Sequence, residues 1–410
     1  MRQPWRGVLP LLLLLLSLGA PLGAQRTIDW ASKPVFLMTM GQGDEVFEKF
    51  GHNALVVWDD GMGQPLVYNW GMFDFAQPNF IGRFLTGDTK YWMAPGTLDG
   101  TLAQYRQLNR TVTLQELHLT PSQKQQLVEL LATNALEANK YYRYDYYRDN
   151  CSTRARDAID VVTGGALSRV MQVSTGRGSY RWHTRRLLAY STPLYFGSQL
   201  VLGVDADAPL TAWQEAFLPR SLSEGVARVE MPAAEGLPAR LLASPVDTVF
   251  AATRDPEPVT VAPRIALAAL IGIAVGLLLL GLSRIGAAGA SLAIGGWSIL
   301  CAAFGTVLLL AWFATKHVFM AGNPSVALLS PAWLVGVVAA VMAARGGVTP
   351  GVRSALRWLL AIAALGTAAA ALLGHAVSAL ELAALVLPGH AAVVYAADRY
   401  RRGEQATARR

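Results

Sequence analysis

Five apolar runs crowd the last third of the chain, at 265–282, 292–314, 328–344, 356–373 and 377–397. Each approaches the roughly 20 residues that a helix needs to cross a bilayer core. Within lipid every backbone amide must be satisfied inside its own segment, so such runs are read as about five transmembrane helices. The charges between them alternate. Arg284 falls on one side, and Lys316, His317 and Asn323 on the other. Arg345, Arg353 and Arg357 return to the first side, His375 crosses again, and Arg399, Arg401, Arg402, Arg409 and Arg410 close the chain. Nine of these ten short-loop and tail Lys/Arg share one side. The positive-inside rule makes that side the cytoplasm and sets everything before residue 265 outside it.

The start of the chain agrees. Arg2 and Arg6 precede an apolar stretch that ends in Gly23-Ala24, the pattern of a secretory signal peptide over 1–24. Cleavage is expected after Ala24, with an uncleaved anchor as the alternative. The formal net charge of +7 would suit a nucleic-acid partner only if it sat on one surface. Residues 25–262 instead carry a net −3, and residues 263–410 a net +8. The positive charge belongs to the membrane flanks, so nucleic acid is excluded as a partner. Two cysteines do not make a disulfide framework, and six scattered histidines do not make a zinc cluster. No Walker loop or dinucleotide fingerprint occurs, so neither metal nor cofactor is expected.

Between leader and membrane lies one extramembrane unit, residues 25–256, followed by a Pro-rich linker at 257–264, a membrane domain at 265–398 and a basic tail at 399–410. Residues 34–59 read as two strands around Gly41-Gln42-Gly43, and residues 66–70 as a third. Thr120-Pro121 reads as an N-cap and first helical position. Asn150 reads as the cap of a helix over 151–162 that ends at Gly164-Gly165. The unit is therefore α+β, and it is expected to fold even when cut from the membrane helices.

Two short stretches carry the chemistry. Gly51-His52-Asn53-Ala54-Leu55 opens a strand, and Asp149-Asn150-Cys151-Ser152-Thr153 opens a helix. A cysteine at a helix N-terminus feels the positive end of the dipole, which favours the thiolate. Its own N–H would face a developing oxyanion, and a histidine within reach would shuttle the proton. Sequence alone leaves open whether Cys151 and His52 meet. A capped core cysteine and a strand-end histidine are the bland alternative. Arg181, in the run Arg181-Trp182-His183-Thr184-Arg185-Arg186, would suit a lipid phosphate, although such a run more often makes a solvated helix face. The tyrosines from 141 to 147 would suit an acyl entrance or a packed core.

The order, histidine before cysteine, resembles the circularly permuted papain-like enzymes. More closely, the chain resembles the Lnb family of bacterial lipoprotein N-acyltransferases. The resemblance rests on Phe50-Gly51-His52-Asn53-Ala54-Leu55, on Tyr68-Asn69-Trp70-Gly71-Met72-Phe73-Asp74-Phe75 and on residues 144–153. In the membrane domain it rests on Phe313-Ala314-Thr315-Lys316-His317 and Asn323. It implies a permuted papain-like domain with an antiparallel sheet and packed helices. Cys151 would be the nucleophile and His52 the base, with Asn69, or second Asp74, orienting the imidazole. His317 and Asn323 would stand on the external face as candidate substrate contacts. The implied reaction moves an acyl chain from a membrane phospholipid, through a Cys151 thioester, to the α-amine of a diacylglyceryl-cysteine lipoprotein at the inner membrane. A membrane-tethered cysteine amidase or peptidase acting on cell-wall peptides is the first alternative. A non-catalytic envelope scaffold is the second.

Overall fold

A computed structural model describes residues 32–400. The expected signal peptide and most of the basic tail lie outside the described residues. The chain begins with β1 (Val35–Met40), β2 (His52–Asp59) and β3 (Gln64–Met72), then α1 (Phe80–Thr86), β4 (Tyr91–Thr97), α2 (Leu98–Gln107) and β5 (Val112–Leu117). After α3 (Pro121–Ala135) and the two-residue β6 (Tyr141–Tyr142) comes α4 (Cys151–Val162). Among the described residues seven strands form one antiparallel sheet, in the order β6-β4-β3-β2-β1-β5 and finally Asp247–Phe250 at the edge.

Alternation along the strands assigns the two faces. Leu37, Leu55, Val57, Tyr68 and Trp70 pack with α3 and α4, while Phe36, Met38, Ala54, Val56 and Val67 pack with the start of α2. Both faces are covered, which is why β1 and β2 read as nearly continuous apolar runs. α3 begins where its cap predicts, with Thr120 accepting from Gln123 N.

The stretch after α4, hard to read in sequence, is helical. It comprises α5 (Ala166–Met171), α6 (Tyr180–Leu187), α7 (Thr192–Val201), α8 (Ala212–Glu215) and α9 (Pro219–Val226). Here the expectation of a solvated arginine face is corrected: Arg181, Arg185 and Arg186 are all buried. Asp207 and Glu257, distant in sequence, pair with Arg181 and Arg186 at 2.8 and 2.5 Å.

The membrane domain holds α10 (Ile265–Arg284), α11 (Ala287–Phe313), α12 (Ser325–Leu328), α13 (Val335–Ala344), α14 (Pro350–Ala370) and α15 (Ala376–Arg399). Length and composition mark four candidate spans, the last of them 50 residues long. That last one is a hairpin: Gly374 has φ +99°, and Arg357 near its start bonds Asp398 near its end at 2.8 Å. A straight helix would hold residues 41 positions apart about 60 Å from each other, so this stretch folds back as two helices, α14 and α15, lying side by side. Small residues set the packing. A Cβ on Gly272 of α10 would lie 2.2 Å from Ala384 O of α15.

The two parts are not merely strung together. Tyr195 and Phe196 of α7 pack with Ala268 of α10 and with Ala384 and Leu385 of α15. Tyr195 Oη donates to Glu381 at 2.7 Å, and His375 Nδ1 lies 2.7 Å from Asp207. The linker is itself pinned, its Glu257 pairing with Arg186 at 2.5 Å. Lys316, His317 and His375 therefore stand at the end of the helices that carries the sheet domain, and Arg357 and Asp398 at the other.

Candidate active site

His52 follows Gly51, whose φ is +78° and where a Cβ would stand 2.9 Å from Met40 O. Only glycine allows that turn at low cost, and it delivers the imidazole to the end of the sheet. Pairing Ala54 with Asn69 brings the next strand alongside, and His52 Nε2 comes 3.2 Å from Asn69 Oδ1. Asn69 Nδ2 donates to Val67 O at 3.2 Å, which fixes the amide with its oxygen toward the ring. A carbonyl oxygen only accepts, so the ring proton sits on Nε2 and Nδ1 is the basic nitrogen.

Cys151 is the first residue of α4. Asn150 caps the helix, its Oδ1 accepting from Ser152 N and Thr153 N at 2.9 Å each. Its Nδ2 donates to Phe217 O at 2.9 Å and so ties the cap to the core. The cap occupies the second and third amides and leaves the Cys151 N–H facing its own sulfur. Helix and strand are locked by a buried pair that sequence reasoning passed over. Ser152 Oγ lies 2.8 Å from Asn53 Oδ1 and 2.7 Å from Ala216 O, and Asn53 Nδ2 donates to Thr39 Oγ1 at 2.8 Å. Asn53 and Ser152 each adjoin a singled-out residue, and their position inside the two motifs was the available signal. Through them the Asn53 backbone N–H reaches the Cys151 thiol.

The electrostatics correct one expectation. Burial pushes the Cys151 thiol up, outweighing the backbone N–H groups of Asn53, Ser152 and Cys151 that favour the thiolate. Desolvation, followed by the positive charge of Arg110, pushes His52 down to about 4 against the Asn69 bond. Arg110, also missed in the sequence, is buried and held by Glu48 and by Gly41 O, both at 2.9 Å. Near neutrality the resting site holds a thiol and a neutral imidazole, not an ion pair. Among the described residues no hydrogen bond joins the two side chains. One wall is Gly71, with φ +86°. A Cβ there would meet Tyr144 Cε2 at 3.6 Å, Cys151 Cβ at 3.7 Å and Tyr142 Oη at 3.9 Å. Tyr142 Oη is buried beside the Gly71 N–H and donates to no acceptor among the described residues.

The remaining candidates lie elsewhere. Asp74 is exposed and closes its own turn, accepting from Ala76 N at 2.8 Å. Arg181 does not await a phosphate: its donors go to Asp207, Gln199 O, Leu202 O and Gly203 O, all within 2.9 Å. His317 and Asn323 do meet the sheet domain. His317 Nε2 lies 2.9 Å from Phe84 O, and Asn323, buried, donates to Leu200 O at 2.8 Å.

Residues 23–189 match the family model of the Lnb N-terminal periplasmic domain. Over that stretch the chain is similar to the N-terminal periplasmic domain of the Lnb family. No curated protein and no solved structure matches the chain. The Lnb match covers His52, Asn69 and Cys151 and ends just beyond α6. The structure extends the same domain through α9 to the edge strand Asp247–Phe250, and the membrane helices lie outside the match.

Proposed function

We propose that this Lnb-type protein is a thiol-dependent lipoprotein N-acyltransferase of the inner membrane, with its sheet domain on the periplasmic side. The observation that carries the reading is the Ser152–Asn53 bond at 2.8 Å, which ties the start of the Cys151 helix to the strand that presents His52, while the Asn69 contact leaves His52 Nδ1 unengaged. With both groups neutral at rest, His52 takes the thiol proton as sulfur attacks the ester carbonyl of a phospholipid. The Cys151 N–H, with the Tyr142 hydroxyl as a second donor, would hold the oxyanion. Collapse breaks the ester C–O bond, the lysophospholipid leaves with the proton from His52, and the acyl chain remains as a thioester. The α-amine of a diacylglyceryl-cysteine then attacks. His52 takes its proton, the thiolate leaves and is reprotonated, and an amide is formed. Burial of the thiol supports transfer over hydrolysis by limiting water at the thioester.

The rival reading, a Cys151-dependent amidase, needs a water-accessible cleft at the thiol; the open cleft of about 820 Å³ between α3 and α4 is lined by Asn134, Arg148, Asp149 and Arg154 but by neither His52 nor Cys151. Expression in a host lacking its own N-acylation step separates the two. Acyl transfer predicts that diacyl lipoproteins gain the mass of one fatty acyl chain, in a manner lost with Cys151→Ser. Muropeptide cleavage dependent on Cys151, with lipoproteins unaltered, would overturn it.

A further inference from the structure

Several of the large apolar side chains that the sheet domain exposes gather in one place. Phe47, Met72, Phe75, Ile81, Phe84 and Leu85 are each 40 to 72% exposed. Ring contacts make the patch continuous: Phe47 with Phe73 at 5.4 Å, Phe73 with Phe75 at 5.1 Å, Phe75 with Phe80 at 5.1 Å and Phe80 with Phe84 at 6.3 Å between centroids. A contiguous apolar patch of this kind marks an interaction surface.

Its height relative to the bilayer is set by covalent and polar ties. α11 ends at Phe313, 74% exposed and stacked on Trp312. Three residues later Lys316 N donates to Thr86 O at 2.8 Å, Lys316 Nζ pairs with Asp88 at 2.6 Å, and His317 binds Phe84 O. Three residues span at most about 10 Å, so α1 sits at the level where a membrane helix leaves the hydrocarbon, next to its aromatic end. The patch also leads inward. Phe73 contacts Tyr91 at 5.2 Å, Tyr91 stacks on Tyr144 at 4.5 Å, and Tyr144 faces the same point of Gly71 as Cys151.

We infer that α1 and the turn over residues 72–75 form a lip immersed in the bilayer interface, whose occupant is the acyl chain of a membrane lipid, guided along the aromatic row to Cys151. Immersion of the lip stands on geometry alone, whereas the guiding role rests on the acyl-transfer reading.

The test uses the full chain in nanodiscs of phosphatidylethanolamine and phosphatidylglycerol. An environment-sensitive fluorophore is attached at Leu85→Cys or Ile81→Cys in a Cys151→Ser background, and at Val173→Cys as reference, Val173 being 84% exposed. The expected result is blue-shifted emission from both lip probes and quenching by lipids brominated near the headgroup, with the Val173 probe unquenched. Lip probes as water-exposed as the reference, or shielded by protein without bromolipid quenching, would overturn immersion. In the chain with Cys151 intact, Phe84→Glu with Leu85→Glu should slow acylation of Cys151 by bilayer phospholipid by about tenfold or more. An unchanged rate would overturn the guiding role. Quenched lip probes in a protein that never acylates Cys151 would sink the acyl-transfer reading and leave the lip standing.

Discussion

At the scale of single residues the account turns on proton positions. Cys151→Ser and His52→Ala should each abolish lipoprotein N-acylation, read by product mass, while membrane levels hold. Asn69→Ala should cost less, roughly tenfold to a hundredfold in rate, since it orients a base that remains present. A base held down to about 4 stays competent well below the ordinary histidine range. The acid limb of the pH–rate profile should therefore fall nearer 4 than 6.5, and a limb at the ordinary value would contradict the desolvated, half-buried imidazole. Because burial raises the Cys151 thiol, its alkylation should require higher pH than a free cysteine does. Stability follows the same sign. A histidine with a depressed folded pKa favours the fold above about 6.5, and that contribution is lost as pH falls through the interval down to about 4. Much of this site was legible, because His52 and Cys151 sit in short motifs at element starts and Asn69 in a third motif on the neighbouring strand. The charge state was not, since burial comes from packing that a sequence does not display. Arg110 and Tyr142 escaped for a similar reason: nothing local distinguishes a buried arginine or tyrosine from a surface one.

At the scale of elements, α4 is the part that must not move. Its cap residue Asn150 is buried and bonded to Ser152 N, Thr153 N, Tyr146 O and Phe217 O. Asn150→Ala should destabilise the domain by about 1–3 kcal/mol in a denaturant titration, the loss of a cap plus unmet buried partners. Asn150→Asp should restore the cap oxygen but not the two amide donors, and should fall in between. Caps were what made elements readable here, since α3 and α4 each begin where a capping residue announces them. β4 was not anticipated because Pro95 and Gly96 interrupt its alternation. α6 misleads because its arginines look solvated. Their acidic partners lie 26 to 71 residues away, and only the fold brings them together.

The whole molecule behaves as one unit. The apolar helices were the most legible feature, and the turn at Gly374 folds the last of the four apolar stretches into two of them. The dependence of the sheet domain on those helices was not legible. α7 reads as an ordinary short helix, yet it buries Tyr195 and Phe196 against α10 and α15. The chain cut at residue 256 would expose those side chains and leave Asp207 without His375. It should therefore aggregate or melt well below the full-length protein in a thermal scan, contrary to the independence that the linker suggests. Burying each large apolar side chain contributes about 1.5–3 kcal/mol, so losing this seam is a large fraction of a typical domain's stability. The central claim is that Cys151 carries the acyl chain between two lipids. Intact mass of the full-length protein purified from membranes tests it most directly. The account predicts a population heavier by one fatty acyl chain on Cys151, labile to hydroxylamine, absent in Cys151→Ser, and discharged when a diacylglyceryl-cysteine peptide is added. A protein that never carries such an adduct, even after incubation with phospholipid bilayers, would contradict it.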